Sequence, residues 1–488
     1  MKHVHLIGIG GTGLSAIALV LLESGYEVSG SDRQFSPQIE RLQAAGATVY
    51  INHNSKNILG SDLVVRSSAI PDDNPEVLAA RKSGIPVLKR VDFLEQLTAG
   101  KKVIAVAGTH GKTTTSAMIT WILVKLGLDP SFVIGSEAYN LGTNAHAGKG
   151  VYFVIEADEY DRMFLGLKPQ IAIVTNIEHD HPDCYPTADD FYQAFQDFAN
   201  RIVKDGILIV CGDNLGAKRL ADDQDGNLNT LSYAVDNQAS DYLAKDLKLN
   251  DKGAFDFRFV QVNQAGDRQT GHMQVSKRNV SLRIPGKHNV SNAMAALTVV
   301  VFLNLSLDNA VTALNEYRGT ARRFDIRGSV GDVIVIDDYA HHPTEIRATL
   351  AAARDQYPNQ MIWAVWQPHT YSRTRTLATE FSEAFGDQND SLVDRVIVTE
   401  IYAAREFPPA NGYSAAEVVR MIQHPAVQFI PELDQVAVFL LGALKPGDVL
   451  LVLSAGDADK VSSAVLKGLE MRQTSWTNSN SLDSQGSR

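Results

Sequence analysis

Residues 103–107 read Val-Ile-Ala-Val-Ala and run directly into Gly108-Thr109-His110-Gly111-Lys112-Thr113-Thr114-Thr115. An apolar run of this length, with no alternation, suits a strand buried on both faces, which points to a parallel sheet covered by helices. The glycines that follow let backbone N–H groups turn toward an anion, and the helix over 116–126 adds the partial positive charge of its N-terminus. Lys112 is then placed to reach outer phosphates, and Thr113 to offer its hydroxyl to Mg²⁺. Gly108, Thr109, Gly111 and Thr114 complete the cradle. The match to G-x-x-x-x-G-K-[ST] is a shortened one, because Val106 stands at the first glycine position and the extra glycine is Gly108. An ordinary strand-to-helix turn is the competing reading; the strand before and the helix after favour the phosphate cradle.

A chain of 488 residues has room for two to four domains. Apolar residues make up 44% and charge is spread along the sequence, as in a globular protein. A net charge of −11 provides no basic field for nucleic acid or an anionic membrane, so a phosphorylated ligand has to be held by local devices. Cys184 and Cys211 form no metal or disulfide pattern, which fits a reducing cytoplasm. Residues 14–22 are apolar but too few to span a bilayer, and they follow a glycine turn. A soluble cytoplasmic protein is expected.

From the N-terminus, a strand over 4–7 leads into Gly8-Ile9-Gly10-Gly11-Thr12-Gly13 and a helix over 14–24. The next strand ends at Asp32, nineteen residues after Gly13. That is a dinucleotide-type fingerprint in its proper context: Gly10, Gly11 and Gly13 admit a diphosphate to the helix N-terminus, and Asp32 is placed to meet a ribose. The motif does not say whose diphosphate; NAD, FAD and UDP-sugars all satisfy it, and a purely structural glycine turn is the alternative. Strands near 48–51, 62–65 and 86–88 extend this first domain, and Ser67 and Ser68 sit at a strand end, where open α/β sheets bind ligands. The boundary is expected near Gly100.

The second domain, 101–318, continues with a buried strand over 151–155 ending in Glu156-Ala157-Asp158-Glu159-Tyr160-Asp161, and another over 171–174 ending in Thr175-Asn176-Ile177-Glu178-His179-Asp180-His181. Hard oxygen ligands and imidazoles near a phosphate loop suit Mg²⁺–nucleotide chemistry; a polar network at the sheet edge is the plainer alternative. Alternation over 255–262 and 272–283 suggests a small antiparallel side sheet. Asn289 and Asn292 share a helix face and read, by themselves, as caps or packing amides. A third α/β domain, 319–472, places polar clusters after each strand: Asp337-Asp338-Tyr339-Ala340-His341-His342, Gln367-Pro368-His369-Thr370-Tyr371-Ser372-Arg373, and Gly456-Asp457. Residues 473–488, rich in Ser, Asn and Gln, are expected to be a disordered tail. The fold class is thus α/β in three domains, the first and third Rossmann-like and the middle one like a P-loop ATPase. With no obvious nucleophile but Lys, Arg and His in place, the layout suits activation of a carboxylate by ATP and displacement by an amine.

The motifs around Lys112, Glu156, Asn176, Asn289 and Asp338 occur in an order that resembles the Mur ligase family, the amide-forming enzymes of bacterial peptidoglycan synthesis, over residues 1 to about 470. The opening glycine loop with Gln367-Pro368-His369 and Tyr371-Ser372-Arg373-Thr374 is most similar to the branch that joins L-alanine to UDP-N-acetylmuramate. The resemblance implies ATP and Mg²⁺ as cofactors, with UDP-N-acetylmuramate bound by the first domain and L-alanine by the third; it is silent on oligomeric state. It further implies that Lys112 and Thr113 hold phosphates and Mg²⁺, that Glu156 and His181 are metal ligands, and that Asn289 and Asn292 face adenine. Arg323 would meet the γ-phosphate, Asp338 the ribose, and His341 and Arg373 the amino acid. Two departures stand out. Many relatives have Arg where this chain has Thr370, and no lysine lies between His181 and Arg201 to serve as the carbamylated lysine of other branches. The murein-recycling branch, which adds a tripeptide to the same sugar nucleotide, shares residues 156–161 but lacks the Gln-Pro-His…Arg segment. A nicotinamide-dependent dehydrogenase built on Gly8–Gly13 explains neither Lys112-Thr113 nor the third domain.

Overall fold

The structure is a computed structural model, and it describes residues 2–262, 277–386 and 391–483. Three sheets organise it. The first holds β1 (His3–Ile7), β2 (Glu27–Asp32), β3 (Thr48–Ile51), β4 (Leu63–Arg66) and β5 (Val87–Lys89) in the order β3-β2-β1-β4-β5, all parallel. This is a doubly wound order that reverses at β1, so a crevice opens beyond the carboxyl ends of β1 and β4. The Gly8–Gly13 loop follows β1 and Ser67-Ser68 follows β4, and the two meet there: a Cβ on Gly8 would lie 3.1 Å from that of Ser67.

The second sheet holds β6 (Lys102–Ala107), β7 (Ser131–Ala138), β8 (Thr143–His146), β9 (Tyr152–Glu156), β10 (Ile171–Val174), β11 (Ile207–Cys211), β12 (Asn229–Ala234), β13 (Tyr242–Leu249), β14 (Ala254–Gln261) and β15 (Lys277–Pro285). Their order is β15-β14-β13-β12-β11-β10-β6-β9-β7-β8. Strand β6 is central and parallel to both β10 and β9, so the loops leaving these three strands emerge side by side. The expected small side sheet is not separate: β13, β14 and β15 continue the edge of the central sheet. Part of the expected strand 272–283 lies outside the described residues; the rest is β15. The hairpin β7–β8 has no counterpart in the sequence reading, because Ser131–Ala138 mixes apolar residues with Gly135, Ser136 and Glu137 and shows no clean period.

The third sheet holds β16 (Asp325–Val330), β17 (Val333–Asp338), β18 (Ile362–Trp366), β19 (Arg395–Val398), β20 (Val427–Phe429) and β21 (Val449–Leu453), in the order β16-β17-β21-β18-β19-β20. Only β16 runs antiparallel, to β17. The last helix, Asp459–Asp483, continues through residues 474–483, where the sequence reading expects disorder; residues 484–488 lie outside the described set.

The first two domains share one apolar core. Leu14, Ile17 and Leu21 of the first helix belong to the same buried cluster as Phe153, Ile155, Met163 and Phe164 of the second domain. Together they form one compact unit: residues 1–248, 256–282 and 289–320. The second unit comprises residues 249–255, 283–288 and 321–488, with cores on both faces of its own sheet. Among the described residues no helix is long and apolar enough to cross a membrane.

Candidate active site

The phosphate-cradle loop is built as its glycines require. Gly108 (φ +133°) and Gly111 (φ +79°) both lie in backbone conformations that favour glycine. A Cβ at Gly108 would overlap the Thr175 hydroxyl, and one at Gly111 would lie 2.5 Å from Asn292 Oδ1. Gly111 caps the helix Lys112–Lys125, which starts four residues earlier than the sequence pattern suggests. Thr113 and Thr114 are therefore buried in its first turn, next to the unpaired N–H groups at the helix start.

The motif after β10 acts first on this loop. Thr109 Oγ1 donates to Glu178 O at 2.8 Å and accepts from Glu178 N at 2.9 Å. His110 N donates to Asn176 Oδ1 at 2.8 Å, and Thr175 Oγ1 donates to His110 O at 2.5 Å. Thr175, Asn176 and Glu178 thus fix the backbone of the cradle. Asn292 braces it from behind: its Oδ1 accepts from Thr115 Oγ1 at 3.1 Å, and its Nδ2 donates to Asn289 Oδ1 at 3.0 Å. The structure places this amide pair, expected to face adenine, in the buried wall of the loop.

Lys112 is folded onto its own loop. Its Nζ donates to Gly108 O at 2.5 Å, Thr109 O at 3.1 Å and Glu159 at 2.9 Å. Burial works against its charge, but Glu159, Asp158 and Glu156 outweigh it and hold the ammonium's pKa above the ordinary lysine value. Burial likewise pushes Glu159 up, and Lys112 and His181 more than reverse this, leaving it a carboxylate with a lowered pKa. Glu159 is 1% exposed. Sequence reasoning did not single it out from the acidic run 156–161, although its spacing, three residues after Glu156, was available.

Glu156 ends β9 and joins the first turn of the helix Lys112–Lys125 to β7. One carboxylate oxygen accepts from Thr113 Oγ1 at 3.1 Å and the other from Gly135 N at 2.7 Å. His181, in a left-handed conformation (φ +54°), holds Nε2 3.7 Å from both Glu159 and Asp180 and packs edge-on against Tyr160. Lys112 thus links two pairs, Thr113–Glu156 and Glu159–His181, into one acidic centre of the first unit. Oxygen donors in excess of the local positive charge suit a hard divalent cation.

At the first sheet, Asp32 does more than await a ribose. Its Oδ2 accepts from Gly10 N at 2.9 Å and its Oδ1 from Arg33 N at 2.7 Å, so the carboxylate pins the glycine loop to β2. Gly11 caps the first helix (Thr12–Glu23). Gly13 is not open to a diphosphate alone, because the guanidinium of Arg90 covers it: a Cβ there would overlap Arg90 Nη1. Arg90 also reaches Asp158 at 3.3 Å. Sequence reasoning missed Arg90, since a lone Arg at a helix start carries no motif.

In the second unit, the carboxyl end of β17 places Asp338 in the interior, accepting from Phe324 N at 2.8 Å and Ala340 N at 2.7 Å. Burial pushes its carboxyl up to about 6 despite Arg323. Arg323 lies 3.5 Å from Glu345 and stacks over Tyr339. His341 is held by Tyr339 O at 2.9 Å and by Glu345, which also accepts from the His341 backbone N–H at 3.1 Å. Glu345 was not anticipated, though its i, i+4 spacing from His341 is the signal that would have found it. Beyond β18, Arg373 is 3% exposed, and its Nη1 lies 2.9 Å from His369 Nδ1. Because a guanidinium only donates, His369 accepts at Nδ1 and carries its proton on Nε2. The His341 and His369 rings lie 5.8 Å apart, so His341, His369 and Arg373 form one group. Ser67 and Ser68 sit at the rim of the first crevice, partly buried and exposed respectively.

Three family models match in sequence: the Mur ligase family catalytic domain over residues 3–102, the Mur ligase middle domain over 106–300, and the Mur ligase glutamate ligase domain over 322–456. UDP-N-acetylmuramate–L-alanine ligase of Pelotomaculum thermopropionicum is 41% identical over 477 residues, which cover 97% of this chain and 98% of that one. The enzyme of the same name from Clostridium acetobutylicum is 39% identical over 468 residues, covering 95% and 97%. Among solved structures, the UDP-N-acetylmuramate–alanine ligase of Thermotoga maritima superposes with a TM-score of 0.78 at 27% identity, covering 97% of this chain and all of that one. A murein peptide ligase of Psychrobacter arcticus gives 0.70 at 25%, covering 96% and 99%. With all three domains matched in this way and near full-length relatives about 40% identical, the chain belongs to the Mur ligase family.

Proposed function

We propose that this protein joins L-alanine to the lactyl carboxylate of UDP-N-acetylmuramate at the expense of ATP, through an acyl phosphate, as a cytoplasmic step of peptidoglycan precursor synthesis. The observation that carries the reading is the pairing of the Lys112–Thr113 cradle with Glu156 and His181 in one unit, alongside the His341–His369–Arg373 group in the other. The near full-length identity to enzymes of that name supports it.

When bound, ATP supplies the phosphoryl group, and Mg²⁺ supplies charge neutralisation on its oxygens. Lys112 is held charged at the mouth of the cradle, where negative charge develops as the lactyl carboxylate oxygen attacks phosphorus. Thr113, Glu156 and His181 are the residues that would hold the metal. Thr109, Gly111 and Thr114 present the loop backbone and first helical turn to the phosphates. Arg323 is assigned to the γ-phosphate and Asp338 to the ribose. Asn289 and Asn292 are assigned to the adenine, and Asn292 also braces the loop through Thr115. Gly10, Gly11, Gly13, Ser67 and Ser68 bind the sugar nucleotide, with Asp32 fixing the loop that faces it. Arg373 grips the carboxylate of alanine, and His341 lies on the amine side. The neutral amine attacks the acyl carbon, the C–O bond to phosphate breaks, and phosphate leaves.

The test is phosphate release on mixing ATP, Mg²⁺, UDP-N-acetylmuramate and L-alanine, with each omitted in turn. Release that needs all four supports the reading. Release with a free murein tripeptide in place of alanine, and none with alanine, would assign the chain to the recycling reaction; NADH binding with no UDP-sugar binding would point to a dehydrogenase. Lys112→Ala should lower kcat by about 10²-fold or more, as for removal of a preorganised donor. Near wild-type turnover would remove Lys112 from the phosphoryl site.

A further inference from the structure

Arg90 opens the helix Arg90–Leu97, which packs closely on the turn Tyr160–Gly166: a Cβ on Gly166 would overlap the Val91 carbonyl. That packing fixes where the guanidinium emerges. It lies against Gly13 at the start of the first helix, and its Nη2 donates to Asp158 Oδ2 at 3.3 Å. Asp158 is the single hydrogen-bond acceptor of Arg90 among the described residues, although a guanidinium has five N–H donors. The side chain is only 19% exposed. A mostly buried cation with one long contact is poorly compensated for the water it has lost. It borders a cleft of about 150 Å³ lined on one side by Thr12, Gly13 and Arg90, and on the other by Gly135, Glu156 and Asp158. The cleft therefore runs from the glycine loop of the first domain to the acidic centre of the second. Asp158 also acts on the other cation of that centre, since it is among the groups that hold Lys112 charged.

We infer that Arg90 is an exchange residue: it pairs with Asp158 while the sugar-nucleotide site is empty, and turns to the diphosphate when that ligand seats on Gly10–Gly13, so that Asp158 is released toward the metal. This inference rests on the sugar-nucleotide reading above. Its physical basis is competition. A diphosphate carries more charge than one carboxylate and accepts two or more N–H bonds from a guanidinium, so it displaces a 3.3 Å contact. The acidic centre then loses a neutralising cation and holds a divalent ion more tightly. Coupling between two ligands is reciprocal, so metal–nucleotide binding tightens the sugar nucleotide by the same factor.

The experiment uses the full chain without alanine. UDP-N-acetylmuramate is titrated by calorimetry, and Mn²⁺ is titrated by its free-ion electron paramagnetic resonance signal with a non-hydrolysable ATP analogue present, with and without the sugar nucleotide. In the wild type the sugar nucleotide should lower the Kd for Mn²⁺ by about fivefold. Asp158→Asn leaves Arg90 free, so it should bind UDP-N-acetylmuramate at least threefold more tightly and lose most of the Mn²⁺ shift. Arg90→Gln should weaken UDP-N-acetylmuramate at least tenfold. A salt bridge with a purely structural role would not make Asp158→Asn bind ligand more tightly, so that variant carries the test even where Arg90→Gln fails to fold. An unchanged Mn²⁺ shift in Asp158→Asn, or wild-type affinity in a folded Arg90→Gln, overturns the exchange while the sugar-nucleotide reading stands. No UDP-N-acetylmuramate binding by the wild type sinks both, and is seen before any variant is made.

Discussion

Thr370 shows how much a single position carries. Its φ of +63° with ψ of 143° lies in a region that β-branched residues rarely enter, at a cost of about 1–3 kcal/mol. The residue is kept there by hydrogen bonds to its own helix and to Tyr402. Its Oγ1 accepts from Arg373 N at 3.4 Å and caps the helix Tyr371–Thr376, its carbonyl accepts from Thr374 Oγ1 at 2.7 Å, and its own N–H donates to Tyr402 O at 2.9 Å. The strained corner aims the first turn so that Arg373 points inward, beside His369. Thr370 is thus a cap that positions an Arg. Arg373→Lys keeps the charge but loses the planar fork. It should raise the KM for alanine about tenfold, about 1.4 kcal/mol, while the KM values for ATP and UDP-N-acetylmuramate stay nearly fixed. Steady-state kinetics with each substrate varied in turn checks this; an equal rise in all three would make Arg373 a structural residue. Gly13 gives a second case. Any Cβ there must push Arg90 aside, so Gly13→Ala should raise the KM for the sugar nucleotide several-fold with ATP binding intact, as read by nucleotide titration.

At the scale of elements, chemistry gathers where parallel strands end. The neighbours β9, β6 and β10 deliver Glu156, the Gly108–Lys112 loop and Thr175–Glu178 to one edge, and β17, β21 and β18 deliver Asp338, Ser454 and Gln367 to another. Glu156→Ala and His181→Ala are each expected to lose activity without unfolding, and added Mg²⁺ to restore part of it in at least one; wild-type Mg²⁺ dependence in both would make the cluster structural. Strand β17 also ends in two buried carboxyls. Burial pushes Asp337 up to about 6, against the Ser462 hydroxyl and Arg327, and Asp338 up to about 6 as well. Both therefore hold protons in the folded state that the unfolded chain has released between about pH 4 and 6. Stability should fall as pH rises through that window, by up to about 3 kcal/mol for each group. Asp338→Asn should remove about half of this slope, checked by urea midpoints from pH 4.5 to 7.5; an unchanged slope would show that Asp338 ionises normally. These strand ends were legible in the sequence because a strand buried on both faces is an unbroken apolar run, and polar residues after it can only lie at the edge. Arg90, Glu159 and Glu345 were not, since each acquires its role from a partner brought close by the fold. The hairpin β7–β8 and the start of the helix at Lys112 were hidden for a different reason: polar residues there serve the loop, and they break the period that would have marked the element.

For the whole molecule, the division that matters is not the one between three sheets. The helix Thr12–Glu23 has its apolar face in the core that the second domain also uses, so the first sheet is not an independent body. Every residue assigned to the sugar nucleotide, Arg90 included, lies within residues 10–90, and Lys112, Thr113, Glu156 and His181 lie in the same unit. Arg323, Asp338, His341 and Arg373 all lie after residue 320. A chain ended at Thr320 keeps the whole of the first unit. It also retains 249–255 and 283–288 without the rest of the second unit, which should cost stability but not the core. Such a fragment is expected to melt cooperatively, at a lower temperature than the full chain, and to bind UDP-N-acetylmuramate within about threefold of the full-length affinity. It should release no phosphate on addition of alanine, because the carboxylate clamp at Arg373 is gone. Calorimetric titration of the fragment with UDP-N-acetylmuramate decides the matter. A folded fragment that does not bind the sugar nucleotide would mean that residues beyond 320 take part in holding it, and the assignment of that ligand to the first unit alone would fall.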